Sequence, residues 1–181
     1  MSTTATETRT PTGTWNLDPV HSAVGFEVPY LAGTFKGQFR ETTGRLNVED
    51  GRAQLEGSAN VASVDVKDEN LAAHLQAPDF FDAERNPELR FSAEDVTIDD
   101  GAVKARGQIT IKGVTKDVEV EGTSTGPIVD GYGNGRIGLQ LSAVVDRTGF
   151  GLEWNTPLPT GEPALSNDVR IVSDLQFVKG S

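Results

Sequence analysis

The feature that most constrains this chain is an alternation of apolar and polar residues with a period of two, repeated along most of its length. Val24, Phe26 and Val28 share one face; Phe35, Gly37 and Phe39 share the next, with Lys36, Gln38 and Arg40 opposite. Successive strand side chains point to opposite faces, so each such run reads as a half-buried strand. Leu55, Gly57, Ala59 and Val61 repeat the pattern. Phe91 and Ala93 resume it after an interruption, and Val96 and Ile98 follow one position out of step, as a β-bulge would displace them. Val103, Ala105, Gly107, Ile109 and Ile111 fill one face of the next strand, Gly113 supplies a turn, and Val118 and Val120 return as a hairpin. Ile137, Leu139, Leu141, Ala143 and Val145 mark the penultimate strand. Val169, Ile171, Leu175 and Phe177, interrupted by Ser173, mark the last, beyond a Pro-rich loop over residues 155–163.

The count is about eight antiparallel strands, the number at which a closed barrel either fills with side chains or holds one small ligand. A two-sheet sandwich satisfies the same alternation. Several inward positions are Gly or Ala (Gly37, Gly57, Ala59, Ala93, Ala105, Gly107), which leaves volume near the axis for a ligand or for larger opposing side chains. One interruption is helical: Leu71, His74 and Leu75 fall at i, i+3, i+4, predicting a short helix near residues 69–76 that Pro78 terminates. The Phe80–Phe81 pair behind it must turn inward, and strand-like alternation would bury one ring of the two.

Composition agrees with an all-β chain, since 20 Gly and 9 Pro suit strands joined by tight turns better than a helical bundle. The 181 residues predict a disordered tail over 1–12 and one domain over 13–180. A net charge of -11, with no basic run, opposes binding to nucleic acid or to an anionic membrane surface. No cysteine is present, so thiol chemistry and Cys-based metal sites are excluded. The first residues carry no apolar run of signal-peptide or membrane-anchor length. If Met1 is the natural start this places the protein in the cytoplasm; a trimmed N-terminus would allow a periplasmic or secreted one.

Asp18, His21 and Ser22 hold the residue types of a nucleophilic triad and define a small-hydrolase alternative. Yet triad members normally converge from separate elements, and Ser22 has no G-x-S-x-G context. Asp18 and Ser22 read better as turn and capping residues. Only His21 and His74 offer imidazole ligands, so a metal would need carboxylates such as Asp79 or Asp82, and no metal site is expected. Asp79, Asp82, Arg85 and Asn86 read as loop-fixing caps and ion pairs. Arg147 either pairs with an acidic loop residue or faces a polar headgroup, the pair being favoured.

Taken in order, several segments resemble the YceI-like polyisoprenoid-binding family from about Thr14 to Lys179. These are Trp15 to Ser22 (WNLDPVHS) with Phe26, the step from Gly37 to Phe39, the block Asn70 to Phe91, the hairpin Gly107 to Lys116 (GQITIKGVTK), and Arg147 with Phe150–Gly151. The resemblance implies an extended, lipocalin-like antiparallel barrel whose apolar interior holds the tail of an isoprenoid lipid or quinone. It implies no catalytic residue and no required cofactor, and the bound isoprenoid would be cargo. The chain departs from the family where a second His often stands, having Pro29, Tyr30 and Leu31 instead.

The expected channel residues are Phe26, Val28, Phe35 and Phe39 from the first strands, Leu71, Leu75 and Phe81 from the helical block, and Phe91, Ile109, Leu139, Leu141 and Phe150 beyond it. His21, Tyr30, His74 and Arg147 are the expected polar rim. The expected partner is a hydrophobic small molecule, held by a non-catalytic carrier or storage protein. A fatty acid or other small amphiphile is the rival ligand. Strand edges permit a homodimer without requiring one.

Overall fold

Among the described residues, eleven strands form one antiparallel sheet, and the sheet closes on itself. The computed structural model describes residues 12–49 and 52–180, so the expected tail lies, Thr12 apart, outside the described residues. In chain order the elements are β1 (Gly13–Leu17), β2 (Ala23–Tyr30), β3 (Gly33–Phe39), β4 (Thr42–Glu49), β5 (Arg52–Asn60), β6 (Val64–Asp65), α1 (Glu69–Gln76), β7 (Glu88–Asp99), β8 (Ala102–Ile111), β9 (Val114–Val129), β10 (Gly135–Asp146) and β11 (Asp168–Lys179).

The ring runs β1-β4-β5-β7-β8-β9-β10-β11 and back to β1, an eight-stranded closed barrel. The other strands extend staves of that ring. β11 pairs with β1 at Phe177↔Leu17 and with β2 at Asp174↔Ala23, so β1 and β2 are two halves of one long strand, kinked by the 3₁₀ turn Pro19–His21. β3 with β4, and β5 with β6, are broken in the same way. All the strands among the described residues belong to this one closed sheet, which removes the sandwich alternative.

The turns follow from local chemistry. Asp100–Gly101 and Lys112–Gly113, each with positive φ at both residues, close the hairpins β7–β8 and β8–β9 in the handedness that matches strand twist. The register of β7 slips between Ser92 and Asp95, the bulge that brings both Ala93 and Val96 inside. The helix falls where its spacing placed it. Asp68 caps it, accepting from the backbone N–H groups of Asn70 and Leu71 at 2.8 and 3.3 Å.

The two ends of the barrel are filled differently. Around β1 the interior is solid: Trp15, Leu46, Val96, Val103, Ile137, Leu139 and Phe177 are each at most 1% exposed, and the register stacks them (Trp15↔Leu46, Ile137↔Phe177). Toward α1 the packing opens into a cavity. Two of the small inward residues are backfilled by aromatic rings on adjacent strands: a Cβ on Gly37 would lie 2.6 Å from the Phe26 ring, and one on Gly107 would lie 3.0 Å from that of Phe91.

Candidate ligand-binding cavity

The cavity has a volume of about 300 Å³ and an almost wholly hydrocarbon wall. One side is an aromatic cluster in which Phe26 meets Phe35 edge-on at 5.7 Å between centroids. Phe81 meets Phe39 at 5.8 Å, and Phe26 lies 5.9 Å from Phe39. Such edge and tilted contacts suit the ring quadrupoles and fix the wall's shape.

Phe81 reaches this cluster because the chain after α1 folds back on the helix end. Its N–H donates to the Leu75 carbonyl (3.0 Å) and that of Ala83 to Gln76 (2.8 Å), satisfying carbonyls the helix terminus leaves open. Asp82, buried and with positive φ, sits in the tight turn that follows. Its carbonyl accepts from the N–H groups of Arg85 and Asn86. Both Phe80 and Phe81 are buried, at 7% and 9% exposure, against the expectation of one ring. Strand alternation does not apply to a segment that is a turn.

The mouth is covered by this fold-back and by the β10–β11 connection, residues 147–167. Phe80 packs 5.4 Å from Trp154, and His74 lies edge-on to both, at 4.8 Å from Phe80 and 5.4 Å from Trp154. Asp79 stands 3.7 Å from His74 Nε2. Lys112 ties the two covering segments together, its Nζ donating to the carbonyls of Pro78 (2.6 Å) and Gly151 (3.2 Å).

Arg147 sits in the wall, buried, with neither an acidic partner nor a free face. Its guanidinium makes five hydrogen bonds: Nε to the Ser166 carbonyl, Nη1 to Leu152 and Trp154, and Nη2 to Leu165 and the Asn167 Oδ1. No carboxylate forms an ion pair with it among the described residues; burial pulls its pKa down, opposed by the nearby Asp146 charge. The expected Arg147–acid pair is corrected accordingly, because one fork of five donors fits a loop of carbonyls better than one carboxylate.

All the predicted channel residues except Leu139 line the cavity, as do Tyr30, His74 and Arg147 of the predicted rim. Leu139 shares its face of β10 with Leu141 but lies one inward position deeper, inside the solid end. His21 is elsewhere, on the outer surface at the kink between β1 and β2. There Asp18 Oδ2 accepts from Arg136 Nη1 (2.8 Å) and lies 2.7 Å from His21 Nδ1; Arg136 Nε donates to Asp130 at 2.7 Å. The Arg136 bonds lower the Asp18 and Asp130 carboxyls to about 2 each, with His21 adding to the effect on Asp18. Ser22 Oγ accepts from the Gln176 N–H at 2.9 Å, and among the described residues no bond joins it to His21, so the three triad residue types do not form a triad.

Sequence reasoning missed Phe80, Leu152, Trp154 and Leu165, which line the mouth. For the last three the signal was the length of the connection, 21 residues with apolar side chains in a Pro-rich context; connections of that length are seldom idle.

The described residues thus form a closed antiparallel barrel that is hollow and apolar at one end, under a two-segment cover. The YceI-like domain model matches residues 15–177, and the chain belongs to that family. UPF0312 proteins of Staphylococcus epidermidis and of Staphylococcus aureus strain N315 are each 28% identical to it, over 90% of this chain and 96% of theirs. Among solved structures, Burkholderia cenocepacia BcnA superposes with a TM-score of 0.75 at 19% identity, covering 88% of this chain and 98% of its own. The Campylobacter jejuni YCEI protein gives 0.71 at 25%, covering 81% and 86%. A polyisoprenoid binding domain from Saccharophagus degradans, implicated in plant cell wall breakdown, gives 0.70 at 14%, covering 92% and 98%.

Proposed function

We propose that this protein binds an isoprenoid lipid or isoprenoid quinone as a non-catalytic carrier or store, with the apolar tail in the barrel and the polar head at the mouth. The observation that carries this reading is the cavity itself: hydrocarbon-lined, closed at the β1 end, and covered at the other by His74, Phe80 and Trp154. The family, and the description of the Saccharophagus degradans domain as polyisoprenoid-binding, support it.

An isoprenoid tail offers no polar groups, so affinity comes from burying carbon. One five-carbon unit contributes up to roughly 4 kcal/mol at about 0.8 kcal/mol per carbon. Association and ordering cost on the order of 4 to 15 kcal/mol, which cancels the first units. Affinity for prenyl quinones should therefore rise steeply with tail length from a weak short-tailed member. Titration across such a series checks this, and an affinity independent of tail length would overturn it. Solvent extraction of freshly purified protein followed by mass spectrometry identifies the natural cargo; a fatty acid there would replace the isoprenoid.

A further inference from the structure

Gly44 and Gly57 face each other across the β4–β5 ladder, and the strand alternation turns both inward, one layer above the Leu46↔Leu55 pair, of which Leu46 belongs to the solid end and Leu55 borders the cavity. Both line the cavity. Neither needs glycine for its backbone, since neither is among the positive-φ residues. Unlike at Gly37 and Gly107, no ring is among the atoms nearest to the space they leave. The atoms nearest to a Cβ on Gly44 would be the Glu56 carbonyl and Leu17, at 3.4 Å, and one on Gly57 would come no closer than 3.1 Å, to the Thr43 carbonyl. Phe91, opposite Gly57 on β7, leans away from it over Gly107. Two adjacent strands thus lack side chains just above the cavity floor, beside Leu17 and one inward position from Leu55, which lines it.

We propose that this glycine pair forms a recess that takes the far end of the bound tail, making Gly44 and Gly57 the residues that set the longest tail the barrel accommodates. The proposal rests on reading the cavity as a tail site, and it locates the tail's terminus rather than the identity of the ligand. Glycine in a strand interior sacrifices stability relative to a β-branched residue, and ligand volume at that level is what these two positions offer in return.

The test is Gly44→Val, with Gly57→Ala as the second variant should the first fail to fold. Each is titrated beside the unsubstituted protein with prenyl quinones of stepwise tail length and, separately, with saturated fatty acids of stepwise chain length. Each carbon expelled from the recess costs about fourfold in affinity. Gly44→Val adds three carbons, so tails long enough to reach the recess weaken by roughly sixtyfold, while short tails change less than twofold. A tail-length profile that is unchanged, or lowered equally at every length, overturns the proposal. If fatty acids show the selective loss while no prenyl quinone binds, the recess stands and the isoprenoid reading falls. If the unsubstituted protein binds neither series, both fall. Gly107→Val is the contrast: its space is already occupied, so it lowers the denaturation midpoint.

Discussion

Arg147 carries a charge into an apolar wall and spends all of it on carbonyl oxygens. The arrangement fastens the segment from Leu152 to Asn167 across the mouth, since four of the acceptors are backbone groups of that segment and the fifth is the Asn167 side chain. Removing the guanidinium strands those acceptors apart from the Leu165 carbonyl, which keeps its bond from Asn155 Nδ2, and buried unsatisfied groups cost about 1 to 3 kcal/mol each. Arg147→Met is therefore expected to lose at least about 3 kcal/mol in urea unfolding and to speed hydrogen exchange across residues 152–165. Arg147→Lys should recover only part of this, because an ammonium has three donors and no planar fork. Full recovery by Lys would show that charge alone suffices. The sequence made Arg147 conspicuous but not its partners. Backbone carbonyls carry no residue identity, so a cation bound by a loop's main chain reads the same as one awaiting an acid or a headgroup.

Strands and helix were legible as elements because each is specified locally. Period-2 runs gave the staves, the spacing of Leu71, His74 and Leu75 with Pro78 behind it gave α1, and Gly113 marked a hairpin turn. The kinks that break staves into β1–β2 and β3–β4 shift the phase of the alternation, since Leu17 to Val24 and Phe39 to Gly44 are odd steps between inward positions, and only the first was marked by turn residues, Asp18 and Ser22. One kink is pinned by charge. Asp18, which caps its 3₁₀ turn, and Asp130, at the end of β9, share Arg136 of β10, and Gln176 of β11 accepts from the same guanidinium at 2.7 Å. Both carboxyls sit at about 2, below their ordinary 3.8. A folded-state pKa below the unfolded value contributes stability that is present above about pH 4 and lost as pH falls toward 2. The stability difference between the protein and Arg136→Gln should accordingly be constant from neutral pH to about 4.5 and shrink below it. Urea midpoints across that range check this, and a difference that persists undiminished at pH 2.5 would assign Arg136 a packing role instead.

For the molecule as a whole, the deciding property is that one barrel is solid at one end and hollow at the other, and no strand announces where the change falls. Leu139 and Leu141 illustrate it. They are the same residue type, two positions apart on the same face of β10, and alternation gives both as inward. Depth along the axis is set by neighbours that come from distant segments: Leu175 beside Leu139, and the cavity beside Leu141. The consequence is a pair of substitutions with opposite signatures. Leu139→Ala opens a void in tightly packed surroundings and should cost about 3 to 5 kcal/mol, the upper part of the range for buried leucine, while leaving affinity for a cavity ligand nearly unchanged. Leu141→Ala removes atoms that already border empty space on one side, so fewer contacts are lost and the cost should be nearer 2 kcal/mol. It should, however, weaken a tail that packs against it by about tenfold, or about 1.4 kcal/mol. Paired denaturation curves and titrations with one long-tailed prenyl quinone separate the two effects. Equal losses of stability and affinity in both variants would mean that the boundary between solid and hollow does not lie between these residues.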